Sequence, residues 1–129
     1  EYPTWIITKR GWGNDRIASF IECGLKVIEV DSGDEDNLPV ENVLRSLGSR
    51  GITRLLIEGG QAIASSFLKA GAVNRVAWFR APFIIGGDGM SVTNALGLSS
   101  LSKAIKLQNT SREFLDDDVL ETFSIEVTD

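Results

Sequence analysis

The 129-residue sequence is 43% hydrophobic and carries a net charge of −5 from 13 basic and 18 acidic residues. That is enough chain for one core and too little for two domains of ordinary size. The basic residues are scattered, which argues against nucleic acid, because binding a phosphate backbone needs Lys and Arg gathered on one surface. No apolar run approaches the roughly 20 residues that span a bilayer, and no charged-then-apolar leader opens the sequence, so a soluble protein is expected.

Cys23 is the one cysteine and histidine is absent. An intrachain disulfide, a zinc site of the usual ligand types, and Ser-His or Cys-His catalysis are therefore excluded within this chain, and no metal site is expected. A reducing, cytoplasmic setting is the simplest reading. Cys23 is expected to be a small buried residue near a helix end. The sequence opens on Glu1 rather than Met, with a strand-like run four residues later, so upstream sequence is expected to be missing.

In chain order, Thr4-Trp5-Ile6-Ile7-Thr8 reads as a buried strand and Lys9-Arg10-Gly11-Trp12-Gly13 as the loop after it. Asn14 can cap a helix with Ile17, Phe20 and Ile21 on one face, closed by Gly24. Lys26-Val27-Ile28-Glu29-Val30 is a second strand, and the acidic stretch 31–38 a solvated loop. After Pro39, the positions Val40, Val43, Leu44 and Leu47 follow helical spacing, with a stop at Gly48 or Gly51. Arg54-Leu55-Leu56-Ile57 reads as a third strand, continuously apolar after its first residue as though covered on both faces.

A further helix fits residues 60–70, with Ile63, Ala64, Phe67 and Leu68 towards the core and Gly71 at its end. This alternation of strand and helix predicts an α/β layer with parallel strands. The pattern then changes to strands over 75–81, 102–109 and 119–127, the last alternating through Val119, Glu121, Phe123, Ile125 and Val127. Residues 95–102 read as a short helical turn and connector. The sheet is thus expected to be mixed, mainly parallel, and to end in antiparallel strands.

Three features can carry chemistry. Glu58-Gly59-Gly60 lies between a predicted strand and a predicted helix. Glycines there let a ligand approach the backbone, and the helix N-terminus offers unpaired N–H groups to phosphate. Glu58, at the carboxyl end of a strand, sits where open α/β sheets bind ligands and can accept hydrogen bonds from substrate. The same Gly-Gly is also ordinary loop punctuation, and it is not a G-x-G-x-x-G fingerprint. Thr8-Lys9-Arg10 is a second candidate for a dinucleotide phosphate, against a plain exposed basic turn. Gly86-Gly87-Asp88-Gly89 is a third, in which Asp88 is better read as a turn former. Trp5, Trp12, Trp78, Phe79 and Phe83 are read as core or interface residues rather than a base-stacking platform.

Taken in order, several segments resemble the C-terminal reductase domain of the bifunctional riboflavin-biosynthesis deaminase/reductase. They are Arg54-Leu55-Leu56-Ile57-Glu58-Gly59-Gly60, Ser66-Phe67-Leu68-Lys69-Ala70-Gly71, Val73-Asn74-Arg75-Val76, Trp78-Phe79-Arg80-Ala81-Pro82 and Ile84-Ile85-Gly86-Gly87-Asp88-Gly89. The closing Asp117-Asp118-Val119-Leu120-Glu121-Thr122 resembles that family as well. The resemblance implies a dihydrofolate-reductase-like α/β/α sandwich. The chain would then be a partial, C-terminal portion of the reductase domain, lacking its opening strands and the zinc deaminase half.

It also implies NADPH-dependent reduction of 5-amino-6-(5-phosphoribosylamino)uracil to 5-amino-6-(5-phosphoribitylamino)uracil, with hydride delivered to the sugar C1′. Carried over, Glu58 becomes a substrate contact, and Gly60, Gln61, Ala62, Ile63, Ala64, Ser65 and Ser66 cofactor contacts, with Thr8 a further one. No general acid is assigned, and the residues holding the substrate phosphate are expected upstream, so turnover is expected of the complete enzyme. A homodimer is expected, with Trp78, Phe79, Phe83 and the C-terminal strands offering apolar area. The rival readings are a related reductase acting on the pyrimidine before deamination, and a non-catalytic nucleotide-binding or dimerisation module on the same fold.

Overall fold

β-branched and aromatic residues open the chain as strand β1, Trp5–Lys9, and Lys26–Val30 form strand β2, in a computed structural model that describes residues 2–32 and 37–125. The chain divides into two units, Glu1–Leu56 and Ile57–Asp129. In the first, β1 and β2 pair in parallel, with Trp5 opposite Lys26 and Lys9 opposite Val30. Parallel neighbours need a crossover, and helix α1, Asn14–Glu22, supplies it.

The turn into α1 passes through Gly11 and Gly13, both left-handed (φ 74° and 55°), a conformation cheap only for glycine. Gly13 occupies the cap, so Asn14 is the first helical residue rather than the expected cap. Gly24 ends the helix at φ 76°, and its N–H donates to Ile21 O at 2.9 Å. Ile17 and Phe20 are half-buried, whereas Ile21 is exposed. Cys23 is also exposed, contrary to expectation, because it caps α1 on the solvent side of a helix that buries no residue fully.

Helix α2, Val40–Gly48, follows the extended Pro39 and presents the expected apolar stripe. Val40 and Leu47 are buried, with Val43 and Leu44 half-buried. With Ile28 and Val30 of β2 they form this unit's core, each such side chain worth about 1.5–3 kcal/mol when fully buried. Residues 33–36 of the acidic loop lie outside the described residues.

The expected strand at 54–57 does not form. Among the described residues no strand pairs with it, and Leu55 and Leu56 are exposed. An apolar run becomes a strand only when a neighbour takes up its N–H and C=O groups, and periodicity cannot supply one.

The second unit begins with helix α3, Gln61–Lys69. Gly71 (φ 63°) donates to Leu68 O and Ala72 to Phe67 O, closing the helix. Phe67 is buried as expected; Ser65 is buried too, whereas Ile63 is 52% exposed rather than in the core. Strands β3 (Arg75–Arg80), β4 (Leu107–Leu115) and β5 (Asp118–Ile125) form an antiparallel sheet in the order β3-β5-β4.

The β4–β5 hairpin turns through Asp116-Asp117, with Leu115 opposite Asp118 and Asp116 at φ 54°. Asp tolerates that left-handed position better than most residues. An irregularity between Asn109 and Ser111 interrupts the ladder, and Thr110 Oγ1 bonds Thr122 O there at 3.0 Å. The strand expected at 102–109 is thus displaced to 107–115, after a 3₁₀ turn at Leu101–Lys103. Its alternation was read on a stretch that is half connector. Residues 126–127 of the last expected strand lie outside the described residues.

Among the described residues the strands therefore make one parallel pair and one three-stranded antiparallel sheet. The expectation of a mainly parallel sheet is corrected by the unpaired 54–57 segment. Trp12, Trp78, Phe79 and Phe83 are exposed, which removes the core reading for them. No described helix is long and apolar enough to cross a membrane.

Candidate cofactor and substrate site

Glu58, Gly59 and Gly60 lead into α3 as exposed, irregular backbone. The two glycines answer to different constraints. A Cβ on Gly59 would lie 2.8 Å from Ile63 Cδ1 and 3.0 Å from Ile63 Cβ, so any side chain there must push Ile63 aside where it folds back over the turn. A Cβ on Gly60 would meet nothing within 4 Å, and its φ of −59° is open to any residue. Among the described residues, packing does not require glycine at position 60.

Gly60 is the cap of α3, and its C=O accepts the N–H of Ala64 at 3.2 Å. The N–H groups before Ala64 have no intrahelical acceptor by the geometry of the helix. Among the described residues no side chain caps them, and the first turn carries no acid, whereas α1 has Asp15 and α2 has Glu41 in that place. Lys69 stands in the last turn, where a cation suits the helix dipole. The result is a run of open donors at the positive end of a helix, with the exposed Glu58 carboxylate two residues before the cap.

Of the expected cofactor contacts, Gly60, Gln61, Ala62 and Ile63 share this open turn. Ala64 has its N–H engaged with Gly60 O. The hydroxyls of Ser65 and Ser66 turn back to carbonyls one turn earlier, Ser65 Oγ to Gln61 O at 2.6 Å and Ser66 Oγ to Ala62 O at 3.0 Å. Asp88 lies in a 3₁₀ turn, Gly86–Asp88, consistent with its reading as a turn former. Thr8 belongs to the first unit, buried within β1 opposite Glu29. Lys9 beside it is half-buried and Arg10 exposed. The loop after them is held by the N–H of Gly11, which donates to Glu29 Oε1 at 2.9 Å, and Arg16 lies over the Trp12 ring at 5.3 Å.

One feature of the first unit escaped the sequence reading. At the end of β2 an open cleft of about 660 Å³ is lined by Glu29, Asp31, Asn42, Arg45, Ser46 and Arg50, among others. Hydrogen bonds in it run from Asn42 Nδ2 to Asp31 O at 2.9 Å, from Arg45 Nη1 to Asn42 Oδ1 at 3.0 Å, and from Arg50 Nη1 to Ser46 O at 2.7 Å. The signal was present as the polar stripe Asn42, Arg45, Ser46, Ser49 on α2, spaced like the apolar stripe on its other side. Among the described residues no group of three or more His, Cys, Asp or Glu is placed to hold a metal ion.

Comparison with known proteins gives a consistent picture. Residues 1–120 match the family model described as RibD C-terminal domain. A riboflavin biosynthesis protein RibD of Aquifex aeolicus is 32% identical over 95% of this chain and 32% of its own length. A 2,5-diamino-6-ribosylamino-4(3H)-pyrimidinone 5′-phosphate reductase of Methanothermobacter thermautotrophicus is 28% identical over 97% of this chain and 56% of its own length. The solved structure of Acinetobacter baumannii RibD superposes with a TM-score of 0.75 at 19% identity, over 95% of this chain and 37% of that one, which shows a shared fold. The chain thus spans between 32% and 56% of the length of these relatives.

Proposed function

The chain belongs to the RibD C-terminal domain family, and from that premise we propose that it carries the cofactor- and substrate-facing part of a riboflavin-pathway pyrimidine reductase. The reaction is NADPH-dependent reduction of 5-amino-6-(5-phosphoribosylamino)uracil to its ribitylamino counterpart. The observation that carries this reading is the first turn of α3, whose N–H groups lack a capping side chain and an acid beneath an open Gly60. Backbone donors at a helix N-terminus suit a phosphate, so the residues present fit a dinucleotide. Gly60, Gln61, Ala62 and Ile63 would hold its phosphates.

The chemistry a bound NADPH supplies is hydride donation to the sugar C1′ of the substrate. The chain contributes position rather than proton transfer. Glu58, exposed beside the helix end, accepts hydrogen bonds from substrate hydroxyl or amino groups and orients the sugar. The side chain of Ile63, folded over Gly59 and half exposed, shields one flank of that turn from water.

In the complete protein this portion completes a three-layer, dihydrofolate-reductase-like domain, works in the cytoplasm as a homodimer, and is joined to a deaminase. The similarity to the archaeal reductase, named for a diamino substrate, favours one second reading: reduction of the pyrimidine before deamination. Turnover of the aminated and deaminated substrates by the complete enzyme separates the two. NADPH binding without oxidation in the presence of the pathway substrate, unchanged by Glu58→Ala, would point instead to a non-catalytic nucleotide-binding or dimerisation module.

A further inference from the structure

Ser65 is one of the expected cofactor contacts that lie outside the open turn, and the one of them on α3 that is buried. Its side chain is 3% exposed. Its hydroxyl donates to Gln61 O at 2.6 Å and accepts the N–H of Asn94 at 2.7 Å. A hydroxyl has one proton to give, and this one is committed to the first helical residue of α3.

Asn94 lies 29 positions along the chain, in a stretch at 91–98 with no regular secondary structure. Val92 and Leu98 of that stretch are exposed, and Thr93 and Leu96 half-buried.

We propose that Ser65 is a positioning residue: a buried hydroxyl clamp that joins segment 91–98 to the first turn of α3 and so steadies the helix end that receives the cofactor. This rests on the proposed function. An ordinary capping side chain accepts from the N–H groups of the first turn, and those are the donors a phosphate needs. A nine-residue helix with no cap frays at its ends. Back-bonding of Ser65 to Gln61 O does not by itself steady a helix; the tie from Asn94 N–H to the same hydroxyl does, by joining α3 to a distant segment while its first-turn N–H groups stay open.

The test uses the complete protein with Ser65→Ala and Ser65→Thr, reading amide hydrogen exchange at Asn94 together with the KM for NADPH and kcat. Ser65→Ala is expected to speed exchange at Asn94 by about tenfold, as loss of one net hydrogen bond implies. It should also raise the KM for NADPH several-fold with little change in kcat, and Ser65→Thr, which keeps the hydroxyl, should restore both. Unchanged exchange at Asn94 in Ser65→Ala overturns the clamp, as does faster exchange with an unaltered KM, or a threonine that restores neither. If the unaltered enzyme fails to oxidise NADPH, the proposed function falls; the clamp is then judged on Asn94 exchange alone.

Discussion

The two units reach stability by different routes. In the first, a parallel strand pair is joined through α1, and a second helix packs on β2, so that four aliphatic residues from strand and helix share one core. In the second, an antiparallel sheet closes by a two-residue turn, and the buried positions belong to a single helix, as Phe67 and Ser65. The first unit rests on several interchangeable apolar contacts. Among the described residues of the second, the buried side chains are Phe67 and Ser65, both on the helix whose N-terminus we propose for the cofactor. Residues that fold the second unit and residues that serve its site are therefore neighbours on α3, and substitutions can tell them apart.

Phe67→Ala should break that arrangement most severely, costing about 3–5 kcal/mol in urea unfolding of the complete domain and abolishing NADPH binding with it. Ile28→Ala, at the fully buried position of β2, should cost about 2–5 kcal/mol while leaving the α3 amides protected from exchange; equal loss of protection on α3 would erase the contrast.

The paired glycines sharpen the comparison at the site. Gly59→Val forces a side chain into Ile63 and should cost about 1–3 kcal/mol by overpacking. Gly60→Ala has room, so its stability loss should stay below about 1 kcal/mol while the KM for NADPH rises. A Gly60→Ala enzyme with normal cofactor KM would remove position 60 from the site.

Glu58→Gln should raise the substrate KM by roughly tenfold, the scale of a hydrogen bond to a charged group, with the NADPH KM unchanged; steady-state kinetics with each substrate varied in turn reads this. The smallest effect is expected from Arg80→Ala. Its guanidinium reaches Glu121 Oε2 at 3.5 Å, yet the Arg80 side chain is 60% exposed, and Glu121 keeps Arg112 as a partner. Such surface pairs are worth about 0–1 kcal/mol, so the urea midpoint should scarcely move.

Local pattern made much of this legible. Helical spacing at Val40, Val43, Leu44 and Leu47 and the Gly24 and Gly71 stops depend on residues a few positions apart, and each appears in the structure. What failed were inferences about neighbours. Leu55 and Leu56 read as a covered strand, yet covering and pairing are supplied by other segments, which periodicity does not identify. Cys23 and Ile63 are exposed despite their apolar type, because type alone does not set location. Ser65 was missed as a core position because a serine on a helix gives no apolar signal, and its partner Asn94 is remote in sequence. At the site, the order of motifs around Glu58-Gly59-Gly60 was readable, whereas the separate reasons for the two glycines required coordinates.

The most direct test of the central claim is a crystal structure of the complete domain with NADPH. The account predicts phosphate oxygens within hydrogen-bonding distance of the first-turn N–H groups of α3, beginning at Gly60 or Gln61, with Glu58 free to face the substrate. Phosphates bound elsewhere, with that turn solvated and unchanged, would contradict it.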